Sequence, residues 1–261
     1  MGRLKYFIGI LIFFISILVF VISCNKNPDQ TISLEVPGSA NFIIQRILTY
    51  SDTVDHLSNA ASKQESLIYS LRDYSFHVSR YVRNSEVSLY IEHGNMGEQG
   101  HSEKRYYLKD GEVVLLTEHL VLARNEQPFR INRSFYQNGD LLYSDQKIGK
   151  TENELKTKEF RMSILPEGNI RADLKKLNDA IYQYVEFDLV FDGITEYPKA
   201  KYLIFSKNKF NAYRASVKVE KEDDFIRAIF SNPEKYRGRK FKINWDLRRP
   251  AQAIYVSGRL P

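Results

Sequence analysis

The chain has 261 residues, with 38 lysines and arginines against 32 acidic residues, and so carries a mild positive charge of +6. Cys24 is the only cysteine, which excludes a disulfide framework within one chain. The 17 tyrosines and 16 phenylalanines favour strands, where aromatic rings pack across a pleated surface, and argue against an all-helical fold.

The first 23 residues have the layout of a secretory signal. Arg3 and Lys5 provide a basic start, an apolar run extends from Tyr6 to Ile22, and the small residue Ser23 stands directly before Cys24. The alternative is an uncleaved membrane anchor, because a run of this length lies near the lower limit for spanning a bilayer. We prefer the cleaved signal because the cysteine falls where the apolar run stops.

The four residues Val21, Ile22, Ser23 and Cys24 resemble the lipobox of bacterial lipoproteins. The resemblance implies a signal peptide over residues 1–23, cleavage between Ser23 and Cys24, and acyl chains such as palmitate on Cys24. It also implies a location in the cell envelope, with the membrane as a partner through the lipid anchor. Two or three acyl chains, at about 0.8 kcal/mol per buried methylene, make such anchoring stable.

Residues 24–39 are predicted to be a tether. They are mostly polar and include Pro28 and Pro37, a composition that keeps a segment extended and unpacked. The lipoprotein resemblance gives Asn25 a further meaning, since an aspartate there would retain the protein at the inner membrane. Asn25 therefore favours the outer membrane.

Residues 40–165 are predicted to form a helix followed by an antiparallel β-meander. From Ala40 to Leu71 apolar residues recur at spacings of three and four without Pro or Gly, which indicates a helix with a break near Ser58 to Lys63. We expect this helix to cover one face of the following sheet; a partner-binding amphipathic helix is the alternative.

An internal similarity marks the meander. The segment Arg105–Val114 is matched by Arg133–Leu142 at an offset of about 28 residues, and each contains an Asp-Gly or Asn-Gly pair suited to a tight hairpin turn. Two related hairpins within a meander from about Tyr74 to Met162 are therefore predicted. We expect their tyrosines to pack across strands; an exposed aromatic strip that binds a ligand or partner is the alternative.

Residues 170–261 resemble an OB-fold, a small β-barrel. The series Asn232-Pro233-x-x-Tyr236-x-Gly238-Arg239 is similar to OB modules in which that glycine opens the fourth strand. The predicted order is three strands, a helix and two strands, with strands at Val185–Phe191 (closed by Gly193), Lys201–Phe205 and Tyr213–Val219, a helix over Lys221–Phe230, and a last strand at Ala253–Val256. The predicted fold class is therefore mainly β with α (α+β).

An OB-fold binds oligonucleotides or oligosaccharides on the face of its second and third strands, with aromatic platforms and cations. The resemblance thus implies a candidate ligand face made of Tyr202, Phe205, Tyr213, Arg237, Arg239 and Lys240. We expect the basic strand to be a solvated face or one that protects a sheet edge. An anionic glycan, an anionic lipid or a protein as partner is the alternative, and nucleic acid is not expected, because a lipoprotein faces the envelope.

Motifs for catalysis are scarce. None of the five histidines has the spacing of a zinc protease, and the chain contains no Gly-x-Ser-x-Gly elbow and no phosphate-binding Gly-Lys-Ser/Thr. We predict no catalytic residue, no metal and no cofactor, although His93 and His101 with Glu98 and Glu103 leave a metal site as an alternative. The predicted function is a non-catalytic binding or structural module at the envelope; an envelope hydrolase or an enzyme inhibitor is the alternative.

Overall fold

In a computed structural model, the protein contains one sheet of fourteen strands. The structure describes residues 38–164, 168–207, 209–248 and 251–261. The fold is mainly β with helices, as predicted. The predicted signal peptide 1–23, Cys24, most of the tether and the segment 165–167 lie outside the described residues. Within the described ranges, no helix combines the length and the apolar character needed to cross a membrane.

The helices are α1 (Gly38–Ser58), α2 (Glu152–Thr157), α3 (Ile170–Tyr182) and α4 (Asp224–Ser231). The strands are β1 (Ser62–Glu65), β2 (Tyr69–Leu71), β3 (Tyr74–Arg83), β4 (Glu86–Asn95), β5 (Gly100–Lys109), β6 (Glu112–Leu122), β7 (Phe129–Gln137), β8 (Asp140–Gly149), β9 (Arg161–Met162), β10 (Val190–Tyr197), β11 (Ala200–Ser206), β12 (Arg214–Val219), β13 (Lys242–Arg248) and β14 (Gln252–Arg259).

Strands β3 to β9 form the predicted antiparallel meander, each paired with the next along the chain. The two related hairpins are confirmed. Asp110 and Gly111 turn from β5 into β6 with φ of 54° and 79°, and Asn138 and Gly139 turn from β7 into β8 with φ of 54° and 83°. Two successive positive φ values match the twist of the flanking strands, which explains the Asp-Gly and Asn-Gly pairs.

Helix α1 covers one face of the meander, as expected, through Ile44, Ile47 and Val54. The prediction that helix extends to Leu71 is wrong, because α1 ends at Ser58 and the chain then forms β1 and β2, both paired with β3. Tyr69 on β2 is fully buried, so tertiary pairing overrides the local helical spacing.

Helix α3, which the sequence analysis did not identify, covers the opposite face. The side chain of Asn169 caps it by accepting a hydrogen bond from the backbone N–H of Ala172 at 3.1 Å. Its buried residues Ile170, Leu177 and Ala180 pack into the larger core, which includes rings from β3, β4 and β5. The meander is therefore the middle layer between two helices, and its aromatic residues alternate between two cores.

A junction joins the meander to the C-terminal strands. Strand β2 pairs with β3 on one edge and with β12 on the other, through Tyr69 and Ser70. The ring of Phe187 lies 4.6 Å from that of Tyr69 and 4.8 Å from that of Tyr213, and Phe76 lies 5.7 Å from Tyr213. These four rings, Tyr69, Phe76, Phe187 and Tyr213, are called the junction cluster below.

The C-terminal strands pair in the order β10-β11-β12-β14-β13. All pairs are antiparallel except β12 with β14, which are parallel at Lys218 and Ile254, and α4 lies between β12 and β13 in the chain. The backbone N–H of Phe191 on β10 donates to the carbonyl of Arg239 at 2.9 Å, and the N–H of Gly238 donates to the carbonyl of Phe191 at 2.8 Å. The segment that leads into β13 therefore lies against β10.

The predicted strands over 201–205, 213–219 and 253–256 and the helix over 221–230 are confirmed with small shifts of their ends. The strand predicted over Val185–Phe191 is wrong in its limits, because residues 185–187 form a 3-10 turn and β10 runs from Val190 to Tyr197. Gly193 does not end the strand, since it lies at a register shift where a β-bulge accommodates it.

Replacement of Leu177 tests the packing of α3. Leu177 is fully buried, so Leu177→Ala leaves a cavity and is expected to lower the free energy of unfolding by about 2–5 kcal/mol. Leu141→Ala is the matched control, because Leu141 is 38% exposed and its loss should cost less than about 1 kcal/mol. Equilibrium urea unfolding followed by circular dichroism measures both; equal losses would contradict the placement of α3.

Candidate functional site

The aromatic members of the predicted ligand face are separated in the structure. Tyr202 is half-buried on β11, where its hydroxyl accepts a hydrogen bond from Gln252 at 3.2 Å. Phe205 is 4% exposed and packs in the core, and Tyr213 belongs to the junction cluster. Only Tyr202 of the three lies where a ligand on the outside of β11 could meet it, because successive side chains of a strand point to opposite faces.

The three cations of the predicted face lie together beside β10. The Arg237 guanidinium donates from Nε to the backbone carbonyl of Asp192 at 2.8 Å and from Nη1 to Glu234 at 2.8 Å. Lys240 forms an ion pair with Asp188 at 2.7 Å, and Arg239 is exposed. The structure therefore brings Arg237, Arg239 and Lys240 to one end of the C-terminal strands, away from Tyr202.

A cleft of about 740 Å³ lies at this end, where β10 begins, β11 ends and β12 begins. Four cations line it among the described residues: Lys207, Lys209, Arg214 and Arg237. Asp192 is the one carboxylate in the described part of the lining. This cleft is called the basic cleft below.

Asp192 is held by neighbours and offsets only part of the positive charge. Its Oδ2 accepts hydrogen bonds from the Ser206 hydroxyl at 2.9 Å and from Arg214 Nη2 at 3.2 Å. The side chain of Arg214 is still 64% exposed, so it can bind a further anion. Because arginine offers a planar fork of donors and lysine a compact charge, the basic cleft can hold a phosphate or a carboxylate.

The rim of the basic cleft is formed by Lys207 and residues 209–212, between β11 and β12. Hydrogen bonds hold this rim to the rest of the fold. Arg72, in the turn between β2 and β3, donates from Nε to the Asn211 side chain at 2.9 Å. Lys207 donates from Nζ to the backbone carbonyl of Val185. These bonds fix the described rim residues on both sides, which lowers the ordering cost of binding.

A second cleft, of about 830 Å³, lies between α1 and the turns of the two related hairpins. Its charged lining residues within the described part of the chain are Arg46, Lys109, Asp110 and Glu112, whose charges balance. Tyr50 and Val114 give it an apolar floor. The excess of positive charge in the basic cleft indicates an anionic ligand, whereas the balanced charges of this larger cleft indicate no particular class of ligand.

The sequence predicts Arg237 as a site residue but does not indicate Lys207, Lys209 and Arg214 as its partners. The local signal was two lysines next to Phe210 in a segment between two predicted strands. This composition is typical of a solvated loop and does not by itself indicate a binding site. Only the pairing of β10, β11 and β12 shows that the loop faces Arg237, which lies more than twenty residues further along the chain.

Three of the five histidines form a row with Glu103 across the meander. His77 pairs with His93, His93 with Glu103, and Glu103 with His119 on neighbouring strands. The rings of His77 and His93 stack at 4.7 Å, and His93 Nδ1 lies 3.4 Å from Glu103. His101 lies at the exposed start of β5. Among the described residues no group of three or more His, Cys, Asp or Glu side chains is placed to hold a metal ion.

Burial lowers the pKa of the stacked histidines. It brings the pKa of His77 from 6.5 to about 4, helped by the neighbouring charge of His93. Burial also lowers the pKa of His93, against the attraction of Glu103. The folded protein therefore disfavours the charged form of both rings, and the opposing charge effects of Glu65 and Lys63 on His77 are smaller than that of burial.

This lowered pKa predicts the sign of a pH dependence. Between pH 6.5 and about 4 the unfolded chain binds a proton at residue 77 that the folded protein does not bind, so stability falls as the pH falls. Because the ring is partly exposed, we expect residue 77 to change the free energy of unfolding by on the order of 0.5–1 kcal/mol per pH unit. His77→Gln should remove this contribution in urea unfolding at several pH values, whereas His56→Gln, at an exposed position, should leave it unchanged.

The geometry of the basic cleft stands without support from known proteins. No protein-family model, no curated protein and no solved structure matches this chain.

Proposed function

We propose that the protein is an envelope lipoprotein, anchored through Cys24, whose folded part binds an anionic ligand in the basic cleft without catalysis of its own. The lipobox-like Val21-Ile22-Ser23-Cys24 supports the anchor, and Asn25 supports the outer membrane. The observation that carries the binding function is a concave site lined by four cations and one carboxylate among its described residues.

An OB-like barrel for the C-terminal strands is part of this proposal. Its support is the parallel pairing of β12 with β14 in an otherwise antiparallel set, with α4 between the third and fourth strands. The hydrogen bonds of Phe191 with Gly238 and Arg239 give further support, because they join the first strand to the segment before the fourth. The resemblance implies that Gly238 opens the fourth strand, and Gly238 precedes β13, which begins at Lys242.

The strength of anion binding follows from the donors. Hydrogen bonds that involve charged groups contribute about 1.5–3 kcal/mol each. Two such contacts reach about 4 kcal/mol before the cost of association is subtracted, so a small anion alone should bind with a dissociation constant of about 1 mM or higher. The basic cleft offers Lys209 and Arg214 as exposed donors, so a ligand with a phosphate and a further contact should bind more tightly than phosphate alone.

The anchor has its own test. Cys24→Ser removes the thiol that receives the lipid, so the protein should lose incorporation of labelled palmitate and keep residues 1–23, because the lipid is attached before cleavage in the lipoprotein pathway. Mass spectrometry of the N-terminal peptide measures both. A wild-type chain with an unmodified Cys24 and residues 1–23 still attached would overturn the lipoprotein proposal.

The anion site is tested with Lys209→Gln/Arg214→Gln, which removes two exposed cations from the basic cleft. Titration of the full chain in neutral detergent with glycerol phosphate, followed by calorimetry, should show affinity at least about a hundredfold weaker than wild type, since two contacts are lost and each is worth more than about 1.4 kcal/mol. Lys150→Gln/Lys156→Gln is the control, because both lysines are exposed near α2, outside the cleft. Equal affinity of all three proteins would overturn the site.

A further inference from the structure

We propose that the anion bound in the basic cleft is the headgroup of an acidic phospholipid, and that Phe210 enters the bilayer beside it. This inference rests on the proposed anion site and adds the source of the anion. Phe210 lines the basic cleft together with Lys207, Lys209 and Arg214, and it is 94% exposed. An apolar ring and several cations therefore share one rim.

The exposure of Phe210 separates a lipid from a soluble anion. A free phosphate gains nothing from a phenyl ring at the rim of its site. A ring that serves as a platform for a sugar lies against the scaffold with one face covered, whereas the scaffold covers little of either face of Phe210. A ring beside basic side chains matches a membrane surface, where apolar groups enter the boundary between headgroups and acyl chains while lysines and arginines bind acidic lipids.

Hydrogen bonds hold the residues on both sides of Phe210. Asn211, the next residue, accepts the hydrogen bond from Arg72, and the backbone N–H of Lys209 donates to the carbonyl of Lys207 at 2.7 Å. Lys207 is itself bonded to the backbone of Val185. The flanking residues are thus held before any ligand binds, and the nearest carboxylate of the lining, Asp192, is occupied by Ser206 and Arg214.

A proposed lipid anchor at Cys24 allows this contact. Residues 25–37 can extend over at most about 45 Å, since an extended chain covers about 3.3–3.6 Å per residue. A tether of this covalent length keeps the folded part within reach of the membrane that holds the anchor.

The test places a fluorescent reporter at the rim. Trp245 is the only tryptophan, so Phe210→Trp in a Trp245→Phe background reports on position 210 alone. The full acylated chain is reconstituted into vesicles of phosphatidylcholine with and without phosphatidylglycerol, each with brominated acyl chains that quench tryptophan on contact. We expect blue-shifted and quenched emission only when phosphatidylglycerol is present.

The matched control is Tyr197→Trp in the same background, because Tyr197 is 62% exposed at the far end of β10. It should show no quenching in either vesicle. Adding Lys209→Gln to the reporter at position 210 should lower the ratio of docked to undocked protein about fivefold, the effect of removing one cation near an acidic surface.

The outcomes separate this inference from the anion site itself. If glycerol phosphate binds in the basic cleft but emission from position 210 does not respond to phosphatidylglycerol, the ligand is a soluble anion and the lipid inference is overturned. Equal quenching at positions 210 and 197 would overturn it as well, because the contact would not be specific to the rim. Failure of Lys209→Gln/Arg214→Gln to weaken glycerol phosphate binding would overturn the proposed function instead.

Discussion

The antiparallel pairing of β2 with β12, with the junction cluster packed beside it, connects the meander to the C-terminal strands. Tyr69 is fully buried there, and its hydroxyl donates to the backbone carbonyl of Ala180 in α3 at 3.0 Å. One side chain thus links the meander, the helix on its face and the C-terminal strands. Because an unsatisfied buried hydroxyl is costly, these three parts hold a common arrangement.

The same junction positions the basic cleft. Tyr213, in the junction cluster, directly precedes β12, and the rim loop leads into it from β11. The turn between β2 and β3 contributes Arg72, which holds Asn211. The rim of the proposed anion site is therefore fastened to the meander as well as to its own strands, and a rigid scaffold carries the exposed side chains of Lys209 and Phe210.

Local patterns predicted the elements whose chemistry is local. The Asp-Gly and Asn-Gly turns need positive φ, so the hairpins at Gly111 and Gly139 followed from residue type. Helix α3 was missed, although Asn169 is a good N-cap, because its start follows a Pro-containing segment that reads as a linker. The helical spacing after Ser58 was misleading, since pairing with β3 decided the conformation of residues 62–71.

Four predictions follow from the residues alone: the secretory layout before Cys24, the β-rich class, the meander between Tyr74 and Met162, and the cation Arg237 as a candidate site residue. The packing of Phe205 and Tyr213 against the core, and the meeting of Arg237 with Lys207, Lys209 and Arg214 across strands far apart in the chain, are visible only in the folded protein. Turns depend on neighbouring residues, whereas a binding cleft depends on strand register, which long-range burial sets.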